Sequence, residues 1–240
     1  MDKSKRMKIG FSFSLLVAGT LAFYQSHVIA SVAIDIFDYQ EISAGLYVDP
    51  LFTAEEQAQI ASNTVAARNR IASFYGDLTA TPILIVSSSD ERSAKFFRGP
   101  LDPGRTYNLP WNQYIPIAPA GNNIDVLAHE LVHAETYHRL GFLNSLKSPP
   151  MWFIEGVAMQ VDFRESRARS YISQGHVLPP VSSLETANQF MSGDRALNYA
   201  AAKVEISTWL SSGGYMGLFE FLAKIRNGAD FYELFYANAM

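Results

Sequence analysis

The stretch from Ile124 to Leu140 limits the fold more than any other part of the chain. It contains no Pro or Gly, and Leu127, Ala128, Leu131, Val132 and Ala134 make it apolar, so it reads as a buried helix. Within it lies His129-Glu130-Leu131-Val132-His133. Residues four apart share one helix face, one turn above the other, so the two imidazoles point the same way. Buried His and Glu need partners, and a metal ion would satisfy all three at once. Glu130 sits about 100° round the helix from His129, in reach of a water at the ion without ligating it. That division of labour suits hydrolysis: the histidines hold the ion, the ion acidifies a water, and the glutamate takes its proton.

A zinc ion takes four ligands, and a catalytic site leaves one for water, so a third protein donor must come from elsewhere. Glu155 is the best candidate. It sits in Met151-Trp152-Phe153-Ile154-Glu155-Gly156-Val157-Ala158-Met159, apolar on every side, after 21 intervening residues (134 to 154). A carboxylate in that setting is paired, protonated or bound to a cation. A helix-turn-helix return through Gly141 and Pro149-Pro150 brings it toward the histidines. His138 is the rival ligand, but it falls about 140° off the metal face if the helix continues.

These two stretches resemble the gluzincin metallopeptidases, in particular the compact peptidase-MA-like domains. His129-Glu130-Leu131-Val132-His133 carries the resemblance with Pro150 to Ala158, which is similar to the family's P-x-W-F-x-E-G-x-A pattern. It extends more weakly through Leu178 to Leu184 and Asn198 to Leu210. The resemblance implies a zincin-like fold and one Zn²⁺ per chain held by His129, His133 and Glu155. It implies Glu130 as general base, and Tyr199 as a phenol that stabilises the oxyanion of the tetrahedral intermediate; the other reading of Tyr199 is a core aromatic. Where some relatives carry an Asp four residues after the third ligand, this chain has Met159. Asp125 and Asp162 are substitutes for orienting a histidine; otherwise Asp125 is a first-turn helix acid and Asp162 begins a solvated charged stretch, Asp162 to Arg169. The expected activity is peptide-bond hydrolysis, endopeptidase or aminopeptidase-like, on a peptide or protein substrate. The alternative is a zinc-bearing envelope binding or assembly protein without hydrolysis; a third reading is a metal-free domain with core histidines.

The N-terminus speaks to location. Lys3, Lys5, Arg6 and Lys8 precede an apolar run from Ile9 to Tyr24, the form of an export signal. Val28 and Ala30 suit a cut before Ser31. The competing reading is an uncleaved anchor, since Ile9 to Ala30 spans 22 residues, enough to cross a bilayer. Either way the remainder is expected outside the cytoplasm, with membrane contact through residues 9–30. The leader holds four of the 19 basic residues and one of the 23 acids, leaving a net of −7 beyond Ala30. With no basic patch, nucleic acid is not an expected partner. Zero cysteines exclude a Cys-ligated zinc site and a disulfide scaffold.

The expected fold is α+β: one unit over 31–240, with a small mixed sheet in 31–120 and a mainly helical part in 121–240. Strands are expected at Glu41 to Val48, Thr81 to Ser87 and Tyr114 to Ala118. Pro116 lacks an N–H and marks the last as an edge strand, which either pairs with an extended peptide or is an ordinary edge ending in a loop. Arg98 to Asn108 reads as a loop. A helix capped by Thr53 runs to about Tyr75, with Ala54, Ala58, Ala61, Val65, Ile71 and Phe74 on its buried stripe. Later helices are expected at Arg195 to Leu210, with Leu197, Ala201, Val204 and Trp209 inward, then at Met216 to Ile225 and Phe231 to Ala237.

Overall fold

Alternating apolar side chains build a sheet that is buried on both faces. A computed structural model describes residues 25–98, 102–147, 149–164, 175–211 and 217–237. Its strands are β1 (Gln40–Ser43), β2 (Leu46–Val48), β3 (Ile83–Val86), β4 (Tyr107–Asn108) and β5 (Gln113–Ile117), in the order β1-β2-β3-β5-β4. β2, β3 and β5 run parallel, while β1 and β4 pair antiparallel at the two sides. Successive side chains on a strand point to opposite faces. Leu46, Val48, Leu84, Val86, Ile115 and Ile117 therefore enter the main core. Ile85 and Ala118 face a smaller cluster with Ile34, Tyr39, Phe96 and Phe97.

Two expectations for the sheet are corrected. Glu41 to Val48 is not one strand but the hairpin β1–β2, because Gly45 turns the chain at φ +71°, a left-handed conformation that glycine adopts without strain. Tyr114 to Ala118 is not an edge. β4 and the preceding residues cover it, through Tyr107 opposite Tyr114 and a bridge from Gly104 to Ile117. Pro116 is tolerated there because its absent N–H falls on the side of this irregular cover. Its carbonyl accepts from Arg105 N at 3.2 Å, while Ile117 keeps the ladder to β3, its carbonyl accepting from Ser87 N at 3.0 Å.

The helices are α1 (Ser26–Val32), α2 (Ala54–Tyr75), α3 (Ile124–Leu140), α4 (Met151–Ala158), α5 (Arg195–Ser211), α6 (Leu218–Arg226) and α7 (Phe231–Ala237), with short helical turns between them. Thr53 and Glu56 close a capping box on α2. Its buried face is Ile60, Thr64, Ala67 and Ile71, one residue round from the expected stripe. Ala54, Ala58, Val65 and Phe74 are exposed. Thr64 enters the core because its hydroxyl donates to Ile60 O at 2.9 Å. On α5, Ala201 and Trp209 are buried as expected, but Val204 is exposed at 36% and Ile206 takes the inward position. Trp152, Phe153, Trp209, Phe221, Phe231 and Phe235 interlock where α4 meets α5, α6 and α7, the densest part of the core. Truncating Phe153 or Trp152 to Ala there would cost about 3–5 kcal/mol.

α1 runs across the cut expected before Ser31. It lies against the sheet's smaller cluster, with Ser31 fully buried and the His27 ring 5.2 Å from that of Tyr107. The basic cluster and apolar run of residues 1–24 lie outside the described residues, as do 165–169 of the charged stretch and Met216, the expected start of the next helix. Among the described residues no helix is long and apolar enough to cross a membrane.

Candidate metal centre

α3 carries both histidines because its ends are fixed by local chemistry. Asn123 caps it, its Oδ1 accepting from Val126 N at 3.0 Å, and Gly141 ends it at φ +75°. Every residue from Val126 to Thr136 is buried. α4 returns beside it, held by Tyr75, whose hydroxyl donates to Val157 O at 2.8 Å. Gly156 allows α5 to close on α4: a Cβ there would lie 2.6 Å from Ala202 O. That approach sets Glu155 on one side of the histidines and Tyr199 on another.

The three residues converge. His129 Nε2 and His133 Nε2 are 3.0 Å apart, and Glu155 Oε2 lies 3.3 Å from the first and 3.6 Å from the second. All three side chains are buried, and this group could hold a metal ion. Two observations fit it to one. Glu155 Oε2 is buried without a hydrogen bond, a costly state for a carboxylate oxygen unless a cation meets it. The three separations also bracket ~3.3 Å, the edge of a tetrahedron with bonds of about 2.0–2.1 Å.

Electrostatics sharpen the fit. Burial alone would lower the His129 pKa, but the Asp162 and Glu155 carboxylates outweigh it and raise it to about 9. Burial would raise that of Glu155, yet the imidazoles of His133 and His129 hold it well below the usual carboxylate range. Without an ion, a proton on His129 supplies the positive charge that these carboxylates favour.

Asp162 is fully buried, its Oδ2 3.2 Å from His129 Nδ1, at ion-pair distance though off the ideal hydrogen-bond line. The default reading of Asp162 as a solvated acid is therefore corrected. Its carboxylate also takes Arg164, with Arg164 Nε at 2.9 Å from Oδ1. Asp125 instead pairs with Arg70 at 2.5 Å and does not reach a histidine. His138 is exposed on α3, outside the donor group.

Glu130 points into a cleft of about 800 Å³ whose walls include His129, His133, Glu155, Thr106, Arg164, Arg195 and Tyr199. Its carboxylate is held by Thr106, whose Oγ1 lies 2.8 Å from Oε2. Gly104 lies against it so closely that a Cβ would stand 2.8 Å from Glu130 Cγ. Sequence reading took this segment for a plain loop and missed both residues; Gly104 and Pro103 were visible only as turn formers. Tyr199 is 8% exposed, its ring 6.5 Å from that of His129 and 5.0 Å from Phe190. Tyr137, also unanticipated, stacks on His133 at 6.2 Å.

Comparison with protein-family models, curated proteins and solved structures finds no match.

Proposed function

We propose that this chain is a metal-dependent hydrolase. Its particular form is a zinc metallopeptidase of the gluzincin type, with a zincin-like fold, exported or anchored outside the cytoplasm. The observation that carries the reading is the convergence of His129, His133 and Glu155 beside a separate carboxylate, Glu130, that faces the same cleft. His129, His133 and Glu155 would hold Zn²⁺, which when bound lowers the pKa of water and polarises a carbonyl.

The chain's own groups do the rest. Glu130 accepts the proton of a water in the cleft and later delivers it to the leaving amine. Thr106 fixes the rotamer from which it does so. Tyr199 offers its hydroxyl to the oxygen on which negative charge develops. Asp162 orients His129 through Nδ1 and so presents Nε2 to the ion. The sheet edge beside α3 is the segment Gly104 to Asn108, and it replaces Tyr114 to Ala118 as the strand that would hold an extended peptide.

The test pairs metal analysis with turnover on the full chain. One equivalent of zinc and cleavage of a mixed peptide library are expected for the native protein. Glu130→Gln is expected to keep the zinc and lose at least about 10²–10⁴-fold in rate. Normal turnover in that variant would remove Glu130 as the base. Zinc uptake with no hydrolysis of any peptide would favour the zinc-bearing binding protein instead.

A further inference from the structure

This inference rests on the reading of the cleft as a peptide-binding active site. Among the described residues three arginines line it: Arg105, Arg164 and Arg195. Arg105 pairs with Asp102, and Arg164 with Asp162. Arg195 has no carboxylate partner among the described residues, although it is exposed on the cleft wall. The acid beside it is already engaged: Asp194 Oδ1 accepts from Ala196 N at 3.0 Å and Leu197 N at 3.3 Å. Arg195 stands one helical turn before Tyr199, and residues four apart share a face. It therefore lies on the side of α5 that presents the Tyr199 ring to His129.

The acidic side chains described in the cleft are each engaged elsewhere. Glu155 belongs to the donor group, Glu130 is held by Thr106, and Asp102 is taken by Arg105. Among the described residues Arg195 is thus the one cation of the cleft without a carboxylate partner, in a chain whose overall charge is −4. A guanidinium is a planar fork that matches a carboxylate through two parallel hydrogen bonds.

We propose that Arg195 receives a carboxylate of the bound substrate, supplied by an aspartate or glutamate side chain or by the peptide's own C-terminus. The class of substrate is an acidic or C-terminally free peptide. Because Arg195 is exposed, the contact selects among peptides more than it drives binding.

The experiment uses the full chain carrying Glu130→Gln, loaded with zinc and immobilised. It is exposed to a randomised peptide pool with free C-termini and to a twin pool with amidated C-termini, and retained peptides are identified by mass spectrometry. Carboxylate-bearing peptides are expected to be enriched about three- to fivefold over their amide counterparts. The enrichment should vanish on adding Arg195→Gln and turn toward Lys- and Arg-bearing peptides on adding Arg195→Glu, a reversal that a purely structural arginine would not produce. Enrichment confined to the free-terminus pool assigns the C-terminal carboxylate; enrichment of Asp and Glu in both pools assigns the side chain. Retention without carboxylate preference, a preference that survives Arg195→Gln, or no retention overturns the proposal. Zinc uptake and hydrolysis by the native chain are read separately. If both are present and the preference is absent, only the role of Arg195 falls; if zinc is not taken up, the active-site reading falls with it.

Discussion

Glu135 on α3 and Glu155 on α4 are both buried carboxylates, at 1% and 4% exposure, and the molecule treats them in opposite ways. Glu135 is surrounded by donors: Thr79 N at 2.9 Å, Thr79 Oγ1 at 2.9 Å, Ala80 N at 2.7 Å and Arg139 Nε at 2.6 Å. It ties the chain before β3 to α3 and asks nothing further. Glu155 Oε2 faces two imidazole nitrogens and has no hydrogen bond of its own. Burial alone therefore does not mark a functional acid. The mark is burial among groups that also need a positive charge.

The sharpest way to break this contrast is to truncate each acid. Glu135→Ala leaves its donors unpaired and strands the Arg139 charge. It is expected to destabilise the fold by about 3–5 kcal/mol, with zinc per folded molecule unchanged. Glu155→Ala should do the reverse: zinc content of the purified protein falls well below one equivalent, while the melting point of the metal-free protein changes little. Thermal melts with and without a chelator, beside metal analysis, check both. If the two variants behave alike, the distinction between the acids is lost.

A smaller effect tests the base rather than the donors. Gly104→Ala puts a methyl group where Glu130 Cγ stands 2.8 Å away. The carboxylate must shift, and a displacement of about 1 Å can cost up to ~10²-fold in kcat. Zinc content and KM should stay near native. An unchanged kcat would mean that Glu130 does not need its present position.

The smallest effect is a pH dependence. In the metal-free protein the folded His129 pKa is raised to about 9 from 6.5. A group raised on folding stabilises fully below its unfolded value and loses that contribution as pH rises through its folded value. Chelator-treated protein should therefore be most stable below about pH 6.5 on this account and weaken through pH 9. Zinc binding in the same range should release a proton and remove the trend. A flat melting curve in chelator from pH 6 to 10 would contradict a raised His129 pKa in the metal-free fold.

Much of the site was legible because its signals are local. The caps of α3, the spacing of His129 and His133 and the apolar frame of Glu155 are written within a few residues of each other. The α+β class followed from short strands early and long helices late. What the sequence hid is set by distant neighbours. Pro116 looked like an edge marker because a missing N–H does not say which side it falls on. The stripe of α2 was misread because Thr64 satisfies its hydroxyl within the helix and so passes as core. Asp162 carried two readings, a solvated acid or one that orients a histidine, and only the fold, which buries it 3.2 Å from His129 Nδ1, separates them. Gly104 and Thr106 carry no motif; their meaning comes only from crossing over Glu130.

That crossing has an evolutionary consequence. The candidate ion donors belong to two helices buried in the main core, whereas the clamp on Glu130 comes from the sheet's margin. Drift can therefore strike them at different rates. On the proposed reading, a lineage that altered Gly104 or Thr106 would lose turnover and still fold around an ion, keeping a receptor for peptides it no longer cut. Turnover would then be the detachable trait of this architecture, and the ion-binding core the inherited one.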